Sequence, residues 1–180
     1  MPRALPLVLA ACMVLPVSAS LAQGTDAEPP ADPADVISVD AIITALYDVI
    51  SGPAGQARDW DRFRTLMLPS AQLIPLGRRP DDGQVVVQVL SVEDYIRRAG
   101  PYLEQNGFFE TEIARTEERY GNLVHAFSTY ESRNSADDAE PFMRGINSIQ
   151  VLYQGDRWWI ANIAWQPEWE GLPIPGDYLQ

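Results

Sequence analysis

Four long segments with strand periodicity fill the second half of the chain and limit the folds open to it. They are residues 108–120, 123–132, 142–153 and 158–166, separated by Gly121-Asn122, an acidic loop over 134–141, and Gln154-Gly155-Asp156. Links this short join antiparallel neighbours, because a parallel crossover needs a dozen or more residues. A mostly antiparallel meander follows. Each segment offers apolar residues to both faces. Val124, Ala126 and Tyr130 alternate with Leu123, His125 and Phe127, and in the last segment Trp158 and Ile160 oppose Trp159, Ile163 and Trp165. A sheet apolar on both faces needs two covers.

The first half supplies one of them. Ser38 caps a helix over residues 39–50, in which Ile42, Leu46, Val49 and Ile50 recur at helical spacing before Ser51-Gly52-Pro53 ends it. Residues 59–68 predict a second helix, with Trp60, Phe63 and Met67 on one face and Pro69 as its stop. Residues 71–76 and 84–90 read as a hairpin around the turn-rich 77–83. Ser91-Val92-Glu93-Asp94 is a capping box that opens a third helix, carried through Tyr95, Ile96 and Ala99 to Gln105. Pro101 is expected to bend or interrupt that helix. Three helices followed by a bent sheet predict an α+β, cone-shaped domain. The second cover is either the Pro- and Gly-rich tail, residues 167–180, expected over the sheet edge, or a second copy of the chain. The latter predicts a homodimer through the sheet face.

The N-terminus reads as an address. Arg3 precedes an apolar run over residues 4–17, and Ser20 and Ala22 supply the small residues for cleavage after Ala22. Residues 1–22 therefore predict a secretory signal peptide, and the protein is expected to be periplasmic or secreted, with no membrane association after cleavage. The alternative is lipidation at Cys12, within Leu9-Ala10-Ala11-Cys12. Residues 23–36, acidic and Pro-rich, predict a disordered leader. Residues 37–180 form a single domain.

Composition removes several chemistries. All 13 basic residues are Arg, and the net charge is −12, a poor match to a nucleic-acid backbone. With no Lys there is neither a P-loop nor a Schiff-base lysine. One Cys and one His cannot assemble a disulfide framework or a Cys/His zinc site. Asp59 and Asp61 flank Trp60 at a helix start, where acids suit the macrodipole better than a metal. Neither a metal nor a cofactor is expected.

Residues 39–166 resemble the nuclear transport factor 2-like superfamily, in its SnoaL-like branch. The likeness lies in Leu46-Tyr47-Asp48-Val49-Ile50, in Asp59-Trp60-Asp61-Arg62-Phe63 leading into Leu68-Pro69-Ser70-Ala71-Gln72-Leu73, in Gly121-Asn122-Leu123-Val124, and in Gly155-Asp156-Arg157-Trp158-Trp159-Ile160. It implies a cone with a pocket at its open end, on a fold that hosts isomerases, dehydratases, cyclases and proteins with no chemistry. Tyr47 matches the oxyanion-donating tyrosine of ketosteroid isomerase, but Leu73-Ile74-Pro75 lacks that enzyme's base, and residues 145–150 lack its second acid. Scytalone-dehydratase-like chemistry needs two histidines, and only His125 is present.

Tyr47 and His125 are thus the catalytic candidates, and the expected ligand pocket contains Tyr47, Phe63, His125, Phe127, Asn147 and Trp165. His125 is either a hydrogen-bonded structural residue or a pocket acid/base oriented by Glu131 or a neighbouring strand. Asn147, Ser148 and Gln150 are polar within an apolar strand, so one face must hold hydrogen-bond partners or a ligand. The expected function is an exported domain that binds a small apolar ligand without catalysis, or serves an accessory role. The alternative is a SnoaL-like isomerase, cyclase or hydratase acting on a ring-bearing apolar substrate.

Overall fold

The protein is described by a computed structural model covering residues 30–180. The signal peptide, the Cys12 alternative and residues 23–29 of the leader lie outside the described residues. The rest of the leader departs from expectation. Asp32 caps a helical turn, α1 (Pro33–Val36), by accepting from the Ala34 amide at 2.9 Å. Val36 is buried, and Asp35 forms a two-pronged pair with Arg62, at 2.7 and 2.9 Å. One apolar anchor and one ion pair order the segment that composition alone assigns to solvent.

α2 (Val39–Ile50) starts at Ser38, whose side chain accepts from the Ala41 amide. It buries Ile42, Ile43 and Leu46 against the sheet. α3 (Trp60–Leu66) is shorter than predicted. Leu68 precedes Pro69, which disfavours helical backbone, so the chain is already extended at Met67. Met67 therefore opens β1 (Met67–Arg78) rather than completing a helix face. The expected hairpin forms in two pieces: β2 (Val85–Val87) and β3 (Leu90–Ser91) pair separately with β1. α4 (Val92–Asn106) runs unbroken through Pro101. That residue is exposed, and buried Gly100 and Leu103 hold the turns around it.

β4 (Phe109–Tyr120), β5 (Leu123–Arg133), β6 (Met143–Gln154) and β7 (Arg157–Pro167) form the expected antiparallel meander. β1 then joins β7 in parallel, giving the order β2-β1-β7-β6-β5-β4 in a curved, unclosed sheet. Helices line its inner face. Two bulges add curvature, with Ile113 in β4 and Ala161 in β7 as the extra residues. The second corrects the expected facing of the last strand. Beyond Ala161 the alternation flips, so Ile163 and Trp165 join Trp158 and Ile160 on the inner face instead of opposing them.

The tail crosses the outer face of β5, β6 and β7 rather than the sheet edge. Thr129 donates to the Tyr178 carbonyl at 2.6 Å, and the Phe127 and Tyr178 rings meet edge to face at 5.0 Å. Arg58, buried without a carboxylate partner among the described residues, ties the helix ends together. Its guanidinium donates to the carbonyls of Ile50 at 2.9 Å, Gly52 at 2.6 Å and Leu103 at 2.9 Å. These carbonyls lie at the ends of α2 and α4, where intrahelical donors run out.

Candidate functional site

The register of the inner face decides which polar groups meet. Ser128 of β5 pairs with Asn147 of β6, which pairs in turn with Trp165 of β7. On the edge strand β4, Glu110 sits opposite Ser132 and Glu112 opposite Tyr130. α2 lays Tyr47 across this row. The Tyr47 hydroxyl lies 2.6 Å from Ser128 Oγ and 3.0 Å from Asn147 Nδ2. Asn147 Nδ2 also donates to Glu110 at 3.2 Å, and Ser132 donates to the other Glu110 oxygen at 2.9 Å.

Proton directions follow from this inventory. Ser128 has one hydroxyl proton, which it gives to Glu112 at 2.5 Å. Glu112 accepts a two-pronged Arg115 contact at 2.9 and 2.8 Å, and Arg115 also reaches Asp40. Ser128 must therefore accept from Tyr47, and Tyr47 accepts from Asn147. Burial, together with the nearby Glu110 carboxyl, pushes the Tyr47 phenol well above its ordinary pKa. The phenol is a fixed donor, and its proton points along the wall towards Ser128.

A cavity of about 220 Å³ opens beside this network, between α4 and the inner sheet. Phe63, Tyr95, Phe108, Trp165 and aliphatic residues line it, with Asn147, Glu110 and Tyr130 on the sheet side. Tyr102, half exposed, stands at the rim. Phe63 and Tyr95 stack at 5.5 Å, and Tyr95 meets Trp165 edge to face at 6.0 Å. Burial pushes the Glu110 carboxyl up to about 7, although hydrogen bonds from Ser132 and Asn147 favour its charged form. The Tyr130 hydroxyl is buried with no hydrogen-bond partner among the described residues. Its ring occupies space that only a glycine leaves: a Cβ on Gly145 would come within 2.5 Å of that hydroxyl.

The residues expected to share one pocket divide between the two faces. Phe63, Asn147 and Trp165 line the inner cavity, and Tyr47 stands behind Asn147. His125 and Phe127 lie on the outer face, where His125 Nε2 is 2.9 Å from Ser148 Oγ and does not approach Tyr47. Phe127 lines a second, larger space of about 450 Å³ under the tail, with Ile146, Ile174 and Tyr178. Glu131, a proposed orienter of His125, instead pairs with Arg133. Glu110 was not legible as a site residue. Acids on an edge strand are ordinarily solvated, and its only signal is its position two residues after buried Phe108, on the same face.

No protein-family model matches this sequence, and no curated protein matches it either. Solved structures do. A cystatin-like protein of unknown function from Nostoc punctiforme PCC 73102 superposes with a TM-score of 0.54 at 7% identity, covering 72% of this chain and 88% of that one. The fold is cystatin-like. Two further structures with this architecture align less closely. One is a nuclear transport factor 2-like protein of unknown function from Silicibacter pomeroyi DSS-3, with 14% identity, a TM-score of 0.48, and coverage of 72% of this chain and 92% of that one. The other is a proposed ketosteroid isomerase from Shewanella frigidimarina NCIMB 400, with 13% identity, a TM-score of 0.48, and coverage of 69% and 91%. The inner cavity lies between the sheet and the helices, and the acid that reaches it comes from β4. The two segments in which the ketosteroid isomerase resemblance places its acids carry none in this sequence.

Proposed function

We propose that this chain is an exported, non-catalytic domain that holds one small, largely apolar ring compound in its inner cavity. The cavity itself carries this reading: about 220 Å³, walled by aromatic and aliphatic side chains, with Glu110, Asn147 and Tyr130 on its sheet side. An engineered apolar cavity of about 150 Å³ takes up benzene, so this volume suits one ring with a short substituent. Proton direction argues against oxyanion chemistry, because the Tyr47 proton is committed to Ser128. His125, on the opposite face, offers no acid or base to the cavity.

Titration with benzyl alcohol, followed by tryptophan fluorescence, tests the reading. Saturable binding is expected in the wild type and in His125→Gln, and its loss in Ala99→Phe, which fills the cavity from α4. Binding that survives Ala99→Phe, or that disappears in His125→Gln, refutes it.

One observation favours a second reading. Glu110 faces the cavity with a pKa near neutrality, as a general base would. In that reading the protein is an isomerase, cyclase or hydratase acting on a ring-bearing apolar substrate. Wild-type exchange of the α-protons of cyclohexanone with deuterium, abolished in Glu110→Gln, would establish it in place of the first.

Export rests on the signal-peptide pattern, and an intact mass beginning at Gln23 would support it, whereas a lipidated Cys12 would replace it. A homodimer through the part of the outer face that the tail leaves open completes the proposal, and sedimentation showing a monomer alone would remove it.

A further inference from the structure

The inner cavity is unusual in its charge as well as its shape. Six rings line it, those of Phe63, Tyr95, Tyr102, Phe108, Tyr130 and Trp165, and none of the described lining residues is cationic. Glu110 is the sole acid among them. Its carboxyl meets two neutral donors, Ser132 and Asn147, and no guanidinium. Glu112, two residues along the same strand, shows the contrast, since Arg115 grips it with two nitrogens. A buried carboxylate without a counter-ion is expensive, so Glu110 resists ionisation among these partners. Beside it the Tyr130 hydroxyl has a free lone pair and no partner among the described residues.

We propose that the cavity selects a small organic cation, a single-ring amine, with Glu110 as its counter-ion and the surrounding rings as its cage. The proposal rests on the reading of this cavity as a ligand site. An ammonium group brings the donor and the positive charge that the site is short of: a hydrogen bond for Glu110, and the rest of the cation against ring faces, whose quadrupoles attract positive charge. A neutral alcohol satisfies the hydrogen bonds but leaves the charge unmatched. An anion meets Glu110 and a chain of net charge −12, both repulsive.

Binding is then linked to ionisation of Glu110. The groups that face it are Tyr47 from α2, Tyr95 and Tyr102 from α4, and Tyr130 from β5. β6 and β7 present Asn147 and Trp165, and Glu112 on its own strand is already paired. Burial holds the three tyrosines Tyr47, Tyr95 and Tyr130 neutral well above the physiological range. Glu110 is thus the cavity group that titrates near neutrality.

The experiment uses benzylamine, benzyl alcohol and benzoate as probes, titrated against the full protein at about pH 5.5 and about pH 8. At the higher pH, benzylamine is expected to bind about tenfold more tightly than benzyl alcohol, with benzoate weakest. Benzylamine affinity should fall more than about tenfold at the lower pH as Glu110 takes up its proton, and this wild-type profile needs no variant. Glu110→Gln should abolish both the amine preference and the pH dependence. If benzyl alcohol binds as tightly as benzylamine, cation selection is refuted and the ligand site survives. An amine preference retained by Glu110→Gln refutes Glu110 as the counter-ion. If none of the three probes binds, the site itself is refuted.

Discussion

Replacing Glu110 by Gln should change how stability depends on pH, by an amount that follows from the site. The carboxyl is pushed from its ordinary 4.5 up to about 7 in the folded protein, chiefly by burial. Because the folded pKa is the higher one, the unfolded chain releases its proton first as pH rises. Stability is therefore complete below the unfolded pKa and declines as pH climbs through the folded value. Gln cannot ionise and mimics the protonated acid at every pH. Integrating the two titrations from about pH 5 to about pH 8 gives a loss of about 2.5 kcal/mol in the wild type relative to Glu110→Gln. Water admitted at the cavity mouth would reduce this to about 1 kcal/mol. Any fixed cost of the amide, such as a reoriented Ser132 or Asn147, cancels because it is the same at each pH. Urea unfolding followed by tryptophan fluorescence, for both proteins across this range, measures the difference directly. Parallel stability curves, with a gap constant to within about 0.5 kcal/mol, would refute the placement of an uncompensated carboxyl in the cavity wall.

Two further predictions concern the frame that holds the site. Arg58→Ala should cost about 2–4 kcal/mol, read as a lower urea midpoint, because the carbonyls of Ile50, Gly52 and Leu103 lose their donor together, and Arg58→Lys should recover less than half of it. Gly145→Ala should lower stability by about 2 kcal/mol and loosen ligand binding, since its Cβ would fall 2.5 Å from both the Tyr130 hydroxyl and the Gln166 carbonyl oxygen; a neutral result would show that the Tyr130 ring is not seated there.

The sequence by itself determined the α+β class, the four-strand meander, the caps at Ser38 and Ser91, and the opposed faces of β5. All of these are local: periodicity, turn residues and side-chain-to-backbone bonds act within a few residues of one another. It also marked Tyr47, Phe63, Asn147 and Trp165, which prove to be neighbours. Tertiary structure decided the rest. A single extra residue at Ala161 turned Ile163 and Trp165 inward, and periodicity cannot foresee a bulge because alternation carries no record of where it slips. His125 and Tyr47 were separated by strand parity, which depends on the face that the helices choose to cover. Glu110 became a site residue only because Ser132, Asn147 and Tyr47, drawn from three other elements, surround it. A carboxylate in a strand reads as solvated until the fold removes its water, and burial is a property of the assembled elements rather than of any one of them.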